Sequence, residues 1–183
     1  MINTALQNLI AGNTILYPTD TVWGIGCDAT NELAVKKVYQ LKNREESKSL
    51  IILVDSIEML KNYVDDIPDE ALHILKTATS PTTIIYNKPK NLAKNTIAAD
   101  NTIAIRIPKD DFCIQLIQKF GKPIVSTSAN ISGAPTPKSF TEISKAILQS
   151  VDYVVALHSN KKVVKSSTIL KITASNKIEI IRA

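Results

Sequence analysis

Lys122–Pro137 reads KPIVSTSANISGAPTP, and the rest of the chain can be interpreted outward from it. Gly121 and Pro123 open a short apolar strand, Pro123 to Val125. Ser126, Thr127, Ser128 and Asn130 follow, with Ser132, Gly133, Pro135, Thr136 and Pro137 just beyond. Three consecutive hydroxyls would each need a buried partner in a core, so the run does not read as core. It is also too short and too punctuated for a low-complexity linker. A rigid strand-to-loop turn remains, whose hydroxyls, amide and backbone N–H groups can converge on an anionic or oxygen-rich ligand. An ordinary Ser/Asn-rich surface loop is the competing reading.

Glycine and arginine usage bears on that choice. The five glycines are Gly12, Gly24, Gly26, Gly121 and Gly133; two bracket this stretch and two lie in Tyr17–Ala29, YPTDTVWGIGCDA. Glycine serves where φ is positive or where a ligand approaches the main chain. Of 22 basic residues only Arg44, Arg106 and Arg182 are arginine. In a lysine-biased chain, arginines point to sites needing a planar fork for carboxylate or phosphate.

With 183 residues, 44% of them hydrophobic, the sequence supports one core, expected as a single domain over 1–183. No apolar run approaches the roughly 20 residues of a membrane span, and MINTALQNLIAGN lacks the pattern of a signal peptide. Cys27 and Cys113 suggest neither a disulfide framework nor a metal site, so a reduced, cytoplasmic setting is expected. The net charge of +5 permits nucleotide or RNA partners, but the lysines are dispersed; a modestly positive cavity fits better than a basic arm.

Taken in order, Thr4-x-x-Gln7 resembles a capping box for a helix ending at Gly12. Thr14–Tyr17 is a strand, after which Trp23-Gly24-Ile25-Gly26 is expected to turn the chain. Asn31 or Thr30 caps a helix to about Leu41, with Leu33, Val38 and Leu41 on one face. Lys42, Arg44 and Lys48 precede the strand Leu50–Val54; they can line a pocket or form a solvated cap. Asp55-x-x-Glu58 caps a third helix, and Pro68 opens a fourth. Thr82–Tyr86 is a strand, Asn87–Asn101 a polar loop able to act as a lid, and Ile103–Ile107 a strand carrying Arg106. Asp110 caps a helix from Asp111 to Phe120, expected to bury Cys113, Ile114 and Ile117. Ser139-x-x-Glu142 suggests a capping box for a helix to about Gln149. Three strands finish the chain: Tyr153–Leu157, Thr168–Ile172 and Ile178–Ile181. This alternation defines an α/β protein with a twisted mixed sheet flanked by helices, the final strands pairing antiparallel.

Several chemistries are excluded or disfavoured. Neither G-x-x-x-x-G-K-[ST] nor G-x-G-x-x-G occurs, which removes P-loop and dinucleotide folds. A Ser–His hydrolase would need His73, placed mid-helix, or His158, with no acid beside it. Asp20 and Asp28 can hold Mg²⁺ through water, or serve as turn residues. What remains is rich in hydroxyls and arginines and poor in general bases. That suits an already anionic nucleophile attacking a phosphate, with catalysis by positioning and charge neutralisation.

YPTDTVWGIGCDA, LKNREESKSLIIL, SPTTIIY, IAIRIP, PIVSTSANISGAPTP and SSTIL, in this order from Tyr17 to Arg182, closely resemble the motif series of the YrdC-like family of threonylcarbamoyl-AMP synthases. The resemblance implies a cytoplasmic nucleotidyltransferase with a large positively charged cavity. It would make threonylcarbamoyl-AMP and pyrophosphate from L-threonine, bicarbonate and ATP, for a downstream transferase that modifies tRNA adenosine. It implies that Thr21, Arg106, Ser126 and Ser167 hold threonine. Arg44, Lys48, Thr102, Ser128, Thr136 and Arg182 would surround ATP. Lys42 with Arg44, and Ser128 with Asn130, match the family's paired catalytic signature. Mg²⁺ would come with ATP, with no metal ligand supplied directly by the protein. The chain departs from the pattern at Glu45, where proline is usual, and at Thr79-Ser80-Pro81, where Pro-Gly-Pro is common. It also has Leu53 where longer relatives carry histidine, and it ends after Arg182 without their extra domain. Two alternatives remain: a non-catalytic module binding double-stranded RNA, for which few aromatics are available, and a carbamoyl-transfer domain using carbamoyl phosphate.

Overall fold

A computed structural model of the protein describes residues 1–45, 50–156 and 166–183. Its centre is a nine-stranded mixed sheet. The strands are β1 (Ile15–Tyr17), β2 (Gly24–Gly26), β3 (Ile51–Leu53), β4 (Thr82–Asn87), β5 (Thr102–Arg106), β6 (Ile124–Ser128), β7 (Tyr153–Val154), β8 (Thr168–Ile172) and β9 (Ile178–Arg182). They lie in the order β7-β1-β2-β6-β3-β5-β4-β8-β9. The helices are α1 (Ile2–Ile10), α2 (Glu32–Lys42), α3 (Ile57–Leu60), α4 (Asp69–Thr77), α5 (Asp111–Phe120) and α6 (Lys145–Ser150). The expected α/β class with a mixed, helix-flanked sheet holds, and β8 and β9 pair antiparallel. β7 does not join them: it runs parallel to β1 at the opposite edge.

The two faces of the sheet are covered unequally, and this creates the site. On one face Leu16, Ile25, Val125, Ile52, Ile105, Ile84, Leu170 and Ile172 form a continuous apolar layer under α2, α3, α4 and α6. On the other, α1 and α5 cover one end only, where Ala5, Leu9, Cys113, Leu116 and Ile117 pack on Ile15, Tyr17, Leu53 and Ile124. The remainder of that second face, from β6 across to β9, borders a cavity.

Several local expectations shift. Gly24–Gly26 is a strand, not a turn, pairing antiparallel with both β1 and β6. The hydroxyl run is not wholly loop either: β6 continues through Ser126 and Thr127 to Ser128. Its partner β2 supplies ladder hydrogen bonds there, so the backbone stays extended although the side chains are polar. α1 starts at Ile2 without a side-chain cap, which leaves Thr4 inside the helix. Ser56, one residue beyond Asp55, caps α3. Ser144 caps α6, while Glu142 accepts from the Lys138 N–H instead of closing a box with Ser139. Asn31 caps α2 as expected, but Leu33 is 75% exposed and the buried face is Ala34, Val35, Val38, Tyr39 and Lys42. Asp110 caps α5, which buries Leu116 with Cys113 and Ile117, leaving Ile114 half-buried.

The 87–101 segment is not built as a lid. Its 3-10 turn, Lys94–Thr96, is tied to α2 by Tyr39 Oη donating to the Asn95 carbonyl (2.9 Å) and Asn95 Nδ2 donating to that of Glu32 (3.1 Å). Ala93 N–H also reaches the Ala29 carbonyl at 3.0 Å.

Candidate active site

Sheet register arranges the residues of the uncovered face in two rows, one largely apolar and one rich in polar groups. Ser126 of β6 pairs with Ile51 of β3, Ile51 with Ala104 of β5, and Ala104 with Ile85 of β4. One pleat along, Arg106 pairs with Thr83, Thr83 with Ile169, and Ile169 with Arg182. Paired residues point to the same side of a sheet, so each row forms a continuous strip. Above these strips lies a cavity of about 320 Å³, in the range of small-molecule sites. Among the residues lining it are Thr21, Arg44, Arg106, Ser126, Ser128, Thr136, Ser167 and Arg182, and no described lining residue is a carboxylate.

Arg106 is only 3% exposed. Its Nη1 donates to Asp20 Oδ1, and the other Asp20 oxygen accepts from the Lys109 N–H at 2.9 Å. Arg106 Nε is buried without a hydrogen-bond partner. A buried guanidinium donor left open is costly unless something fills the site, and a bound anion would satisfy it.

Thr21, in the β1–β2 connection, is also buried. Thr19 Oγ1 accepts from the Thr21 N–H (3.0 Å) and donates to the Val22 carbonyl (2.8 Å). Its one proton is then committed, so Thr21 must donate in the 3.0 Å contact between the two hydroxyls. This leaves Thr21 Oγ1 as an acceptor for a ligand N–H or O–H.

At the far wall, Thr83 and Ser167 share a hydrogen bond of 2.8 Å between hydroxyls. Arg182 lines the cavity but directs Nε and Nη2 at the Ser167 carbonyl, at 3.1 and 2.8 Å. One edge of that fork therefore holds the start of β8 in place.

The glycines of β2 are explained by closeness. A Cβ on Gly26 would lie 2.5 Å from the Val125 carbonyl and 2.7 Å from Tyr17 Cε1. Tyr17 crosses this point to donate to that same carbonyl at 3.1 Å. A Cβ on Gly24 would come 3.2 Å from Ser126 Oγ, at the cavity wall.

Some expected site residues stand elsewhere. Lys42 and Asn130 are not among the lining residues. The Lys42 side chain is buried and donates to the carbonyls of Ser128 and Asn130 (the latter at 2.6 Å) and to Asn130 Oδ1 at 3.5 Å. Three acceptors account for all three ammonium hydrogens. Asn130 Nδ2 in turn donates to the Ala134 carbonyl at 2.7 Å. The pair therefore fixes the turn that presents Ser128 and Thr136. Burial, and then the neighbouring Arg44, lower the Lys42 pKa to about 8. Asn43, left-handed with φ 48°, ends α2 so that Lys42 faces inward and Arg44 reaches the cavity. Thr102 stands beyond Ala104 on β5, its hydroxyl donating to Asp100 at 2.6 Å, and does not line the cavity. Lys48, His158 and most of the lysine-rich stretch up to Ser167 lie outside the described residues. Asp20 and Asp28 are engaged by Arg106 and Lys122, respectively, and neither lines the cavity. Among the described residues no cluster of three His, Cys, Asp or Glu could hold a metal.

Thr83, Thr19 and the apolar strip Ile51–Ala104–Ile85 were not legible as site residues. Strand register alone brings Thr83 and that strip together, and nothing local to SPTTIIY distinguishes the inward threonine from its neighbour, while Thr19 enters through its contact with Thr21 in the β1–β2 connection.

Fold and cavity together define an α/β protein with a recessed cavity, lined by arginines and hydroxyls, on the open half of a mixed sheet. The chain belongs to the Sua5/YciO/YrdC family, whose model, described as "Telomere recombination", matches residues 7–183. It is 38% identical over 157 residues to the threonylcarbamoyl-AMP synthase of Pseudoalteromonas translucida, covering 84% of each chain. The crystal structure of P. abyssi Sua5 complexed with L-threonine superposes with a TM-score of 0.88 at 27% identity. That match covers 99% of this chain and 53% of Sua5, so the chain spans about half the length of that relative. E. coli YciO, at 21% identity and a TM-score of 0.85 over 99% of this chain and 87% of its own, shares the fold.

Proposed function

We propose that the protein is an L-threonylcarbamoyl-AMP synthase, a nucleotidyltransferase that converts L-threonine, bicarbonate and ATP to threonylcarbamoyl-AMP, pyrophosphate and water. The observation that carries this reading is the convergence of Thr21, Arg44, Arg106, Ser126, Ser128 and Ser167 on one cavity. Its support from outside the chain is the activity named for its relatives and the threonine held by Sua5.

The carbamate of threonine carries its own negative charge, so the nucleophile needs no general base, and the described lining offers none. Arg106 offers its unengaged edge to the amino-acid carboxylate. Thr21 accepts from the substrate, while Ser126 and Ser167 supply hydroxyls beside it. Arg44 and Ser128 face the nucleotide phosphates, with Thr136 and Arg182 beyond. A carbamate oxygen bonds to the α-phosphorus as the bond to pyrophosphate breaks, and the guanidinium groups offset the charge passed to the leaving group. Lys42 and Asn130 act from behind, by holding the turn. The lining of hydroxyls and guanidiniums, without a described carboxylate, suits a cation brought by phosphate oxygens and water. Mg²⁺ in that position would neutralise phosphate charge.

The product would feed a transferase modifying tRNA, in the cytoplasm. No helix among the described residues is long and apolar enough to cross a membrane.

The test is pyrophosphate release from ATP, Mg²⁺ and bicarbonate, with threonine or serine added. Release that requires the amino acid is expected. No release, together with RNA binding that weakens steeply with salt, would transfer the reading to an RNA-binding module.

A further inference from the structure

Arg106 can serve the site only if its guanidinium is turned correctly, and the structure shows what turns it. The residue sits at the end of β5, where the chain leaves the sheet. Its Nη1 is engaged by Asp20, a carboxylate whose side chain is itself 6% exposed. Asp20 cannot swing, because its second oxygen holds the Lys109 N–H and its neighbours Thr19 and Thr21 are locked to one another. With Nη1 taken, the donors left over are Nη2 and Nε, the latter buried without a hydrogen-bond partner, and together they form the side edge of the fork. That edge has the spacing of a carboxylate.

We propose that Asp20 is a positioning residue. It fixes the Arg106 fork with its side edge toward the cavity, and so sets the preference of the site for an amino acid bearing a free α-carboxylate. Asp20 touches no substrate and does not line the cavity. Its effect passes through the arginine alone. This inference rests on the reading of Arg106 as the carboxylate clamp.

The test compares binding of L-threonine and of L-threoninol, which lacks the carboxylate, by titration calorimetry to wild type and Asp20→Asn. Wild type is expected to favour threonine strongly. In Asp20→Asn the ratio of the two affinities should fall by about tenfold or more, as expected when a charge-assisted bidentate contact is lost. The KM for ATP should stay within about threefold of wild type. A merely structural role for Asp20 would weaken both ligands by one common factor and leave the ratio intact, and that result would overturn the proposal. Should Asp20→Asn not fold, Asp20→Glu keeps the charge but moves it by one methylene, and carries the same comparison. If neither variant folds, Asp20 is a stability residue and the proposal fails. A wild type that does not distinguish threonine from threoninol would refute the clamp reading of Arg106 itself, a different failure and separately visible.

Discussion

Two buried cations behave differently because their partners differ. Arg106 has a carboxylate at its side, whereas Lys42 is surrounded by carbonyl oxygens. Arg106→Lys keeps a positive charge but loses the fork. The KM for threonine is expected to rise by about tenfold or more, corresponding to over about 1.4 kcal/mol, while the melting temperature changes little. Unchanged kinetics would remove Arg106 from the site. Burial, and then the Arg44 charge, lower the Lys42 pKa from its ordinary 10.5 to about 8. Between these values the unfolded chain binds more protons than the folded one, so this group makes stability rise with pH through that window. Tyr17, whose phenol burial pushes upward, acts in the opposite sense near the top of the window. The measurement is therefore a difference. The unfolding free energy of wild type minus that of Lys42→Met should increase from pH 8 toward 10, and a flat or falling difference would refute a lowered lysine pKa.

At the scale of elements, β2 fits tightly between its neighbours β1 and β6. Gly26→Ala would force a methyl between the Val125 carbonyl and the Tyr17 ring, and neither backbone nor buried ring can retreat cheaply. A loss of about 2 kcal/mol or more in chemical denaturation is expected. Gly24→Ala meets the flexible Ser126 hydroxyl instead. It should cost under about 1 kcal/mol yet lower threonine turnover, because Ser126 would be displaced into the cavity. Equal stability losses in the two variants would contradict this account. The same strand shows how far local sequence reaches. Two glycines in Trp23-Gly24-Ile25-Gly26 favour a turn. Cross-strand packing against Tyr17 and Ser126 decided otherwise, since only a residue without Cβ allows β1 and β6 to approach β2 so closely.

For the molecule as a whole, the cavity draws its wall from β3, β4, β5, β6, β8 and β9 and from four connections, those between β1 and β2, α2 and β3, β6 and α6, and β7 and β8. A ligand bound there ties together segments that unfolding must separate. ATP at about 100 times its dissociation constant should add about 2.7 kcal/mol, a rise of about 5–11 °C for a chain of this size. Scanning fluorimetry with ATP and Mg²⁺ would show it, and no shift at millimolar ATP would count against a nucleotide site here. Because the net charge is +5 and three guanidiniums line the cavity, the ATP effect should weaken as salt is raised.

Sequence alone determined the polar vocabulary of this protein. The hydroxyl run that ends β6, three arginines among many lysines and the caps at Asn31 and Asp110 depend on residue type and short-range spacing, and all are legible in the sequence. Tertiary structure alone decided the grammar. Lys42 turned from the site to brace a turn, Thr102 fell outside the cavity, and Asp20 became the partner of a residue 86 positions away. Strand register and unequal helix cover made those choices, and both arise from packing between distant segments, which no local stretch of sequence encodes.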